Sequence, residues 1–159
     1  MESMAMTNTA RSIQNRIESI LANWGTSSNG LPDEATWDAL AQCAKDQPVT
    51  LVNFFKMRDS ASYPSGTAMV EDRISGQDAF QRYAAVSIPS VEQAGGKFLM
   101  VAPFACTFIG PTEDWDLVAI GSYPNPGTLL SLFEMDAYRE AYIHRVAACR
   151  DQRVSLCLG

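Results

Sequence analysis

The chain has 159 residues, 47% of them hydrophobic and 19% charged, enough for one globular domain with a substantial core and too apolar for intrinsic disorder. Its net charge of −6 comes without a run of Lys or Arg, which argues against a nucleic-acid backbone as partner; the longest basic series, Arg139, Arg145, Arg150 and Arg153, is spread around a helix and its exit. No apolar run is long enough to span a bilayer, and the N-terminus lacks the continuous apolar segment of a signal peptide.

In chain order, residues 1–9 carry no apolar pattern and are expected to fray. Ile13, Ile17, Ile20, Leu21 and Trp24 then recur at spacings of three and four, which predicts an amphipathic helix from Arg11 to Trp24. The stretch Gly25–Gly30 reads as a flexible loop. A short helix follows Leu31-Pro32-Asp33 to about Ala44, with Trp37, Leu40 and Ala41 on its buried side. Residues 1–47 hold too few apolar side chains for a core of their own and are expected to pack, as a helical extension, on a main domain spanning 48–159.

Val49–Arg58 is the first strand of that domain. Its period of two puts Val52 and Phe54 on one face and Leu51, Asn53 and Phe55 on the other. Asn53 therefore needs a fixed partner or a polar cavity. After a polar loop from Asp59 to Ser75, a helix runs from Gly76 to Ala94 with Phe80, Tyr83, Ala84, Ser87, Val91 and Ala94 inward. Pro89 predicts a kink near Ala85–Pro89, and Gly95-Gly96 a stop. Lys97–Ala102, continued past Pro103 by Phe104–Ile109, and Asp116–Tyr123 form a hairpin. Residues 128–151 read as a helical region in two pieces, the second capped by Asp136 and carrying Tyr138, Ala141, Tyr142, Arg145 and Cys149 on one face. Arg153–Leu158 is the last strand.

Without the extension, the order is β-α-β-β-α-β, an α+β, ferredoxin-like antiparallel sheet with both helices on one face. Neither central strand alternates cleanly, so the opposite face is expected to be apolar and covered by a second copy, making a homodimeric α+β barrel.

Residues 48–158 resemble the DUF1330 family of the dimeric α+β barrel superfamily. The resemblance rests on Pro48-Val49-Thr50-Leu51-Val52-Asn53 with Lys56 and Arg58, then Tyr83, Ile88-Pro89 and Gly95-Gly96. It continues through Trp115-Asp116, Tyr123-Pro124, Tyr138 and His144-Arg145, and Gly30-Leu31-Pro32 with Trp37 resembles the extension of longer members. It implies the dimeric barrel, and a superfamily of cofactor-free monooxygenases, polyketide cyclases, lactone isomerases and haem enzymes, so it selects no chemistry.

Four side chains are unusual for a purely structural domain. Arg145 on an inward face needs an anion, supplied by Asp116 or Glu134 or by a ligand's carboxylate or enolate. His144 is the natural general acid or base, or else a surface residue. Tyr123 at a strand end either donates to an oxyanion or fills the core. Asn53, with Arg58 and Tyr83 from the resemblance, completes a candidate substrate-binding set around the catalytic candidates His144 and Tyr123. Two functions follow: a cofactor-independent enzyme acting on a small carbonyl or acid, or a dimeric binding protein for a small acid; a filled cavity would leave a structural homodimer. A cavity reached by His144 favours the first, and one lined by Arg145 without His144 the second. Cys43, Cys106, Cys149 and Cys157 show neither a CxxC pair nor metal-ligand spacing, and there is one His. Reduced thiols, a cytoplasmic location and no metal or other cofactor are expected.

Overall fold

The computed structural model describes residues 2–25 and 30–159, with side chains from residue 12 onward. Most of the Gly25–Gly30 loop and Met1 lie outside the described residues. The elements are α1 (Glu2–Trp24), α2 (Glu34–Gln42), β1 (Val49–Met57), α3 (Gly76–Ala94), β2 (Lys97–Pro103), β3 (Leu117–Tyr123), α4 (Pro126–Glu134), α5 (Asp136–Ala148) and β4 (Cys149–Leu158).

The period of two in β1 decides which face is which. Phe55 packs at a tilt against Phe80 of α3 at 4.9 Å between ring centroids and lies under the Arg145 guanidinium of α5, so Val49, Leu51, Asn53 and Phe55 face the helices. β1 is central, antiparallel to β3 with Asn53 opposite Ala119 and to β4 with Asn53 opposite Val154. The complete order is β2-β3-β1-β4, with all neighbours antiparallel. This is the ferredoxin-like fold, with α4 inserted before α5.

Local chemistry explains the boundaries. Asp33 accepts from the Thr36 N–H to start α2, Ser75 from Asp78 to start α3, and Asn125 from Thr128 to start α4, where Pro126 occupies the first turn. Gly95, at φ 106°, closes α3 in the left-handed conformation that favours glycine. α3 continues helically through Pro89.

Four boundaries differ from the sequence reading. α1 begins at Glu2, not Arg11, because Glu, Met and Ala favour a helix without any apolar stripe. β2 stops at Pro103. Beyond it the Phe104 N–H still donates to the Asp116 carbonyl at 3.0 Å, but the chain then leaves the sheet, and Phe108 and Ile109 are 93% and 86% exposed. Met135 caps α5 without a side-chain bond, while Asp136 sits inside the first turn and pairs with Arg139 at 3.1 Å. β4 starts at Cys149, directly after α5, because Cys149, Asp151 and Gln152 pair with Met57, Lys56 and Phe55 of β1, with Arg150 left out at a register shift.

The extension shares the core of the sheet and helices. Ile13, Ile17 and Ile20 of α1 and Trp37 and Leu40 of α2 belong to one buried cluster with Val49, Leu129 and Leu130. The Trp24 indole N–H donates to the Phe133 carbonyl at 2.8 Å, and Arg16 pairs with Glu134. Among the described residues no helix is long and apolar enough to cross a membrane.

Gly76 sits where three backbone segments meet. A Cβ there would lie 2.2 Å from the Arg58 carbonyl oxygen and 2.8 Å from that of Ala148. Neither is a flexible side chain, so Gly76→Ala is expected to destabilise the fold by about 1–3 kcal/mol. Chemical denaturation with an unchanged midpoint would contradict this.

Candidate functional site

Arg145 is carried by α5 on the face predicted for it and is 6% exposed. It pairs with neither expected carboxylate. Asp116 is held by Lys56 and by the Met57 N–H, and Glu134 by Arg16. Instead the Arg145 Nε donates to Gln152 Oε1 at 2.9 Å and Nη1 to the Tyr83 hydroxyl at 3.1 Å. The guanidinium lies 4.8 Å from the Phe55 ring centroid, 5.3 Å from Tyr142 and 5.6 Å from Tyr83. Each such contact offsets about 0.5–2 kcal/mol of the desolvation cost. Burial works against its charge, but the surrounding tyrosines favour it and the pKa is raised above the ordinary arginine value. Among the described residues no carboxylate neutralises Arg145, and its Nη2 has no hydrogen-bond partner.

This guanidinium lines a cavity of about 450 Å³ between the sheet, α3, α5 and the α2 segment. Its walls are mostly apolar, including Leu40, Leu51, Phe80, Phe98, Leu132 and Leu156. The polar groups on them include the donors Arg145, Tyr83, Tyr123 and Tyr138 as well as the acceptor-bearing Asp33, Asn53 and Gln152. Because Tyr83 Oη accepts from Arg145, its own hydrogen is free to pass to Tyr138 Oη, 2.9 Å away. When Tyr83 is the donor the Tyr138 hydrogen has no acceptor among the described residues; when Tyr138 is the donor its hydrogen goes to Tyr83. Tyr123, also a wall residue, has no hydrogen-bond partner among them either. Burial raises the Tyr123 pKa, with Tyr83 adding and Arg145 opposing, so its hydroxyl stays a neutral donor. Asn53 Nδ2 donates to the Ala119 carbonyl at 3.0 Å, leaving Oδ1 as an acceptor; this side chain has both a fixed partner and a place on the cavity wall. The Trp37 Nε1 is buried with no partner.

The structure thus brings together Asn53, Tyr83, Tyr123 and Arg145. It does not bring His144 or Arg58 to them. The Arg58 side chain is exposed, and its backbone binds Ala148 and Gly76 at the opposite end of the strand from the cavity's Leu51. His144, one position round the helix from Arg145, points to the 59–75 loop, where its Nδ1 lies 2.7 Å from the Tyr63 hydroxyl. Arg82 donates to that hydroxyl at 3.5 Å and is itself held by Asp72 at 2.7 Å. With Tyr63 Oη accepting from Arg82, its hydrogen goes to His144 Nδ1, which favours a neutral ring protonated at Nε2.

Burial, then the Arg82 charge, lowers the His144 pKa below its ordinary 6.5, with Asp72 opposing. The folded chain therefore binds this proton less readily than the unfolded chain. The stabilisation is complete above pH 6.5 and is lost as pH falls through the depressed folded value. His144→Gln, which retains an acceptor for Tyr63, is expected to flatten this acid-side loss in melting temperatures taken from about pH 8 down to pH 5. An unchanged pH profile would contradict the Tyr63–His144 assignment.

Among the cavity residues that escaped the sequence reading as site candidates are Gln152, Trp37 and Tyr138. Gln152 lies before the strand start read at Arg153, so no face was assigned to it, although its spacing from Val154 and Leu156 carries the signal. Trp37 was read only as a buried face. Cys149 is not a nucleophile candidate, since burial pushes its thiol up to about 11, with Arg145 and Arg58 opposing. Among the described residues no cluster of His, Cys, Asp or Glu could hold a metal ion.

No family model matches the chain, and no curated protein does. Among solved structures it is similar to the RPA0582 protein of Rhodopseudomonas palustris, a protein of unknown function. That similarity is 29% identity with a TM-score of 0.70, over 80% of this chain and 94% of that one. The methylated RPA0582 protein matches with the same identity and TM-score, over 80% of this chain and 92% of that one. These structures share the ferredoxin-like fold of this chain.

Proposed function

We propose that the chain binds a small, largely apolar organic acid in this cavity, without catalysing proton transfer through His144. The carrying observation is the buried, cavity-facing Arg145 with no carboxylate partner among the described residues. A carboxylate or enolate oxygen at its Nη2 supplies the missing counter-charge. The Tyr123 hydroxyl adds a neutral donor, and the leucine and phenylalanine walls take the apolar body. His144 lies off these walls and is engaged by Tyr63, which favours binding over an acid–base reaction.

The same reading includes a homodimer. Val52, Ile120 and Met100 lie on the sheet face that α3 and α5 leave uncovered, and Leu99 and Met100 are 58% and 43% exposed. A second copy packed there would remove this apolar strip from water. Assignment to DUF1330 rests on the resemblance over residues 48–158. The free thiols of Cys43, Cys106, Cys149 and Cys157 fit a reducing, cytoplasmic setting.

The test is a thermal-shift comparison of phenylalkanoates with phenylalkylamines of equal chain length. Acids are expected to raise the melting temperature and amines to leave it unchanged; equal shifts from both would refute an anion site.

A further inference from the structure

We infer that the acids taken by this cavity carry a hydroxyl group along their apolar body, held between Asn53 and Tyr123 on the sheet floor. This rests on the reading of the cavity as an acid site. The Asn53 Nδ2 faces two backbone carbonyls, of Ala119 at 3.0 Å and of Leu51 at 3.4 Å. Both partners only accept, so the orientation of the amide is fixed and Oδ1 is left as an acceptor. Neither Oδ1 nor the Tyr123 hydroxyl has a partner among the described residues. Asn53 and Tyr123 are 8% and 3% exposed, yet among the described residues Trp37 Nε1 is the one buried polar side-chain atom both sealed and unpartnered. The Asn53 Oδ1 and Tyr123 Oη are therefore open, and the space they open onto is the cavity that both residues line.

The strand register brings these two atoms together. Tyr123 folds its ring back along β3, so that a Cβ on Gly121 would lie 3.4 Å from its hydroxyl oxygen. Gly121 is opposite Leu51, and Ala119 is opposite Asn53. Asn53 and Gly121 are thus diagonal neighbours on one face, positions about 7–8 Å apart. The amide and the phenol reach into that span from its two ends, and one ligand oxygen between them meets both. An acceptor and a donor together select a hydroxyl, which gives its hydrogen to Oδ1 and accepts the phenol's. A ketone or ether oxygen satisfies Tyr123 alone, and a methylene satisfies neither. The same register places the anionic end. The Arg145 guanidinium lies over Phe55 and binds Gln152, the β4 partner of Phe55. Phe55 follows Asn53 on the same face, about 6.5–7 Å along β1. A carboxylate and a hydroxyl that far apart on a carbon chain describe a medium-chain hydroxy acid.

The experiment is calorimetric titration of the full chain with phenylbutyrate, phenylpentanoate and phenylhexanoate. Each is set beside its analogues with a hydroxyl and with a ketone on the carbon attached to the ring, the two enantiomers of the alcohol titrated separately. In at least one set an alcohol is expected to bind about tenfold more tightly than both the ketone and the parent acid. Tyr123→Phe, which removes one donor, is expected to reduce the alcohol-to-parent affinity ratio about fivefold. Asn53→Leu is expected to erase the advantage of the alcohol over the ketone; should that variant not fold, the wild-type series and Tyr123→Phe decide alone. A ketone that binds as tightly as the alcohol in every set overturns the inference and leaves the acid site standing. So does an alcohol-to-parent ratio unchanged in Tyr123→Phe, or an alcohol preference retained in folded Asn53→Leu, because the hydroxyl is then held elsewhere. If no acid binds at all, the acid site and the inference fall together.

Discussion

Deletion of residues 1–44 is expected to leave a chain that no longer melts cooperatively near room temperature. The deletion removes Ile13, Ile17, Ile20, Trp37 and Leu40 from the shared core and uncovers α4 and α5. Trp24 packs against Phe133, Tyr138 and Tyr142 at 5.3, 6.0 and 5.0 Å between centroids, and all three lose that cover. Each large apolar side chain returned to water costs about 1.5–3 kcal/mol. Several such losses rival the whole stability of a domain, about 5–15 kcal/mol. Tyr142 also loses the Gly30 carbonyl to which its hydroxyl donates. The check is a thermal melt followed by circular dichroism. A truncated chain melting within a few degrees of the full one would mean that the extension is an ornament on a self-sufficient domain.

Arg145→Met should separate binding from stability. An ion pair would lose about 3–5 kcal/mol on losing one partner, but no carboxylate faces Arg145 among the described residues. Met matches much of the arginine stem in length and relieves the desolvation of a buried charge, against the loss of three ring contacts and two hydrogen bonds. Tyr83 keeps Tyr138 as a partner. The expected melting temperature is therefore unchanged or higher, to within about 1 kcal/mol of stability, while acid binding falls about a hundredfold. Severe destabilisation with acid affinity intact would assign Arg145 to the architecture instead.

The fold was legible because its strands and helices announce themselves by period. The Asn53 parity in β1 and the Arg145 register in α5 both follow from counting residues along regular elements, and both side chains lie where the count puts them. The errors fall where tertiary pairing overrides local pattern. Asp151-Gln152 is too polar to read as strand, yet β1 holds it in the ladder. Phe104–Ile109 is apolar enough for a strand, yet after the one backbone bond from Phe104 to Asp116 it leaves the sheet. For the site, His144 and Arg145 are adjacent in sequence but lie about 100° apart on the helix, and that rotation sends one to Tyr63 and the other to the cavity. The Tyr63 contact crosses 81 positions of sequence, and nothing in the 59–75 loop advertised it.

The central claim, that Arg145 carries its charge for a ligand, is tested most directly by calorimetry with phenylpentanoate and the matching phenylpentanol, on the wild-type chain and on Arg145→Met in parallel. The account predicts that the wild-type chain prefers the acid by about a hundredfold, and that Arg145→Met binds the two alike. Equal wild-type affinity for acid and alcohol, or an acid preference that persists without Arg145, would contradict it.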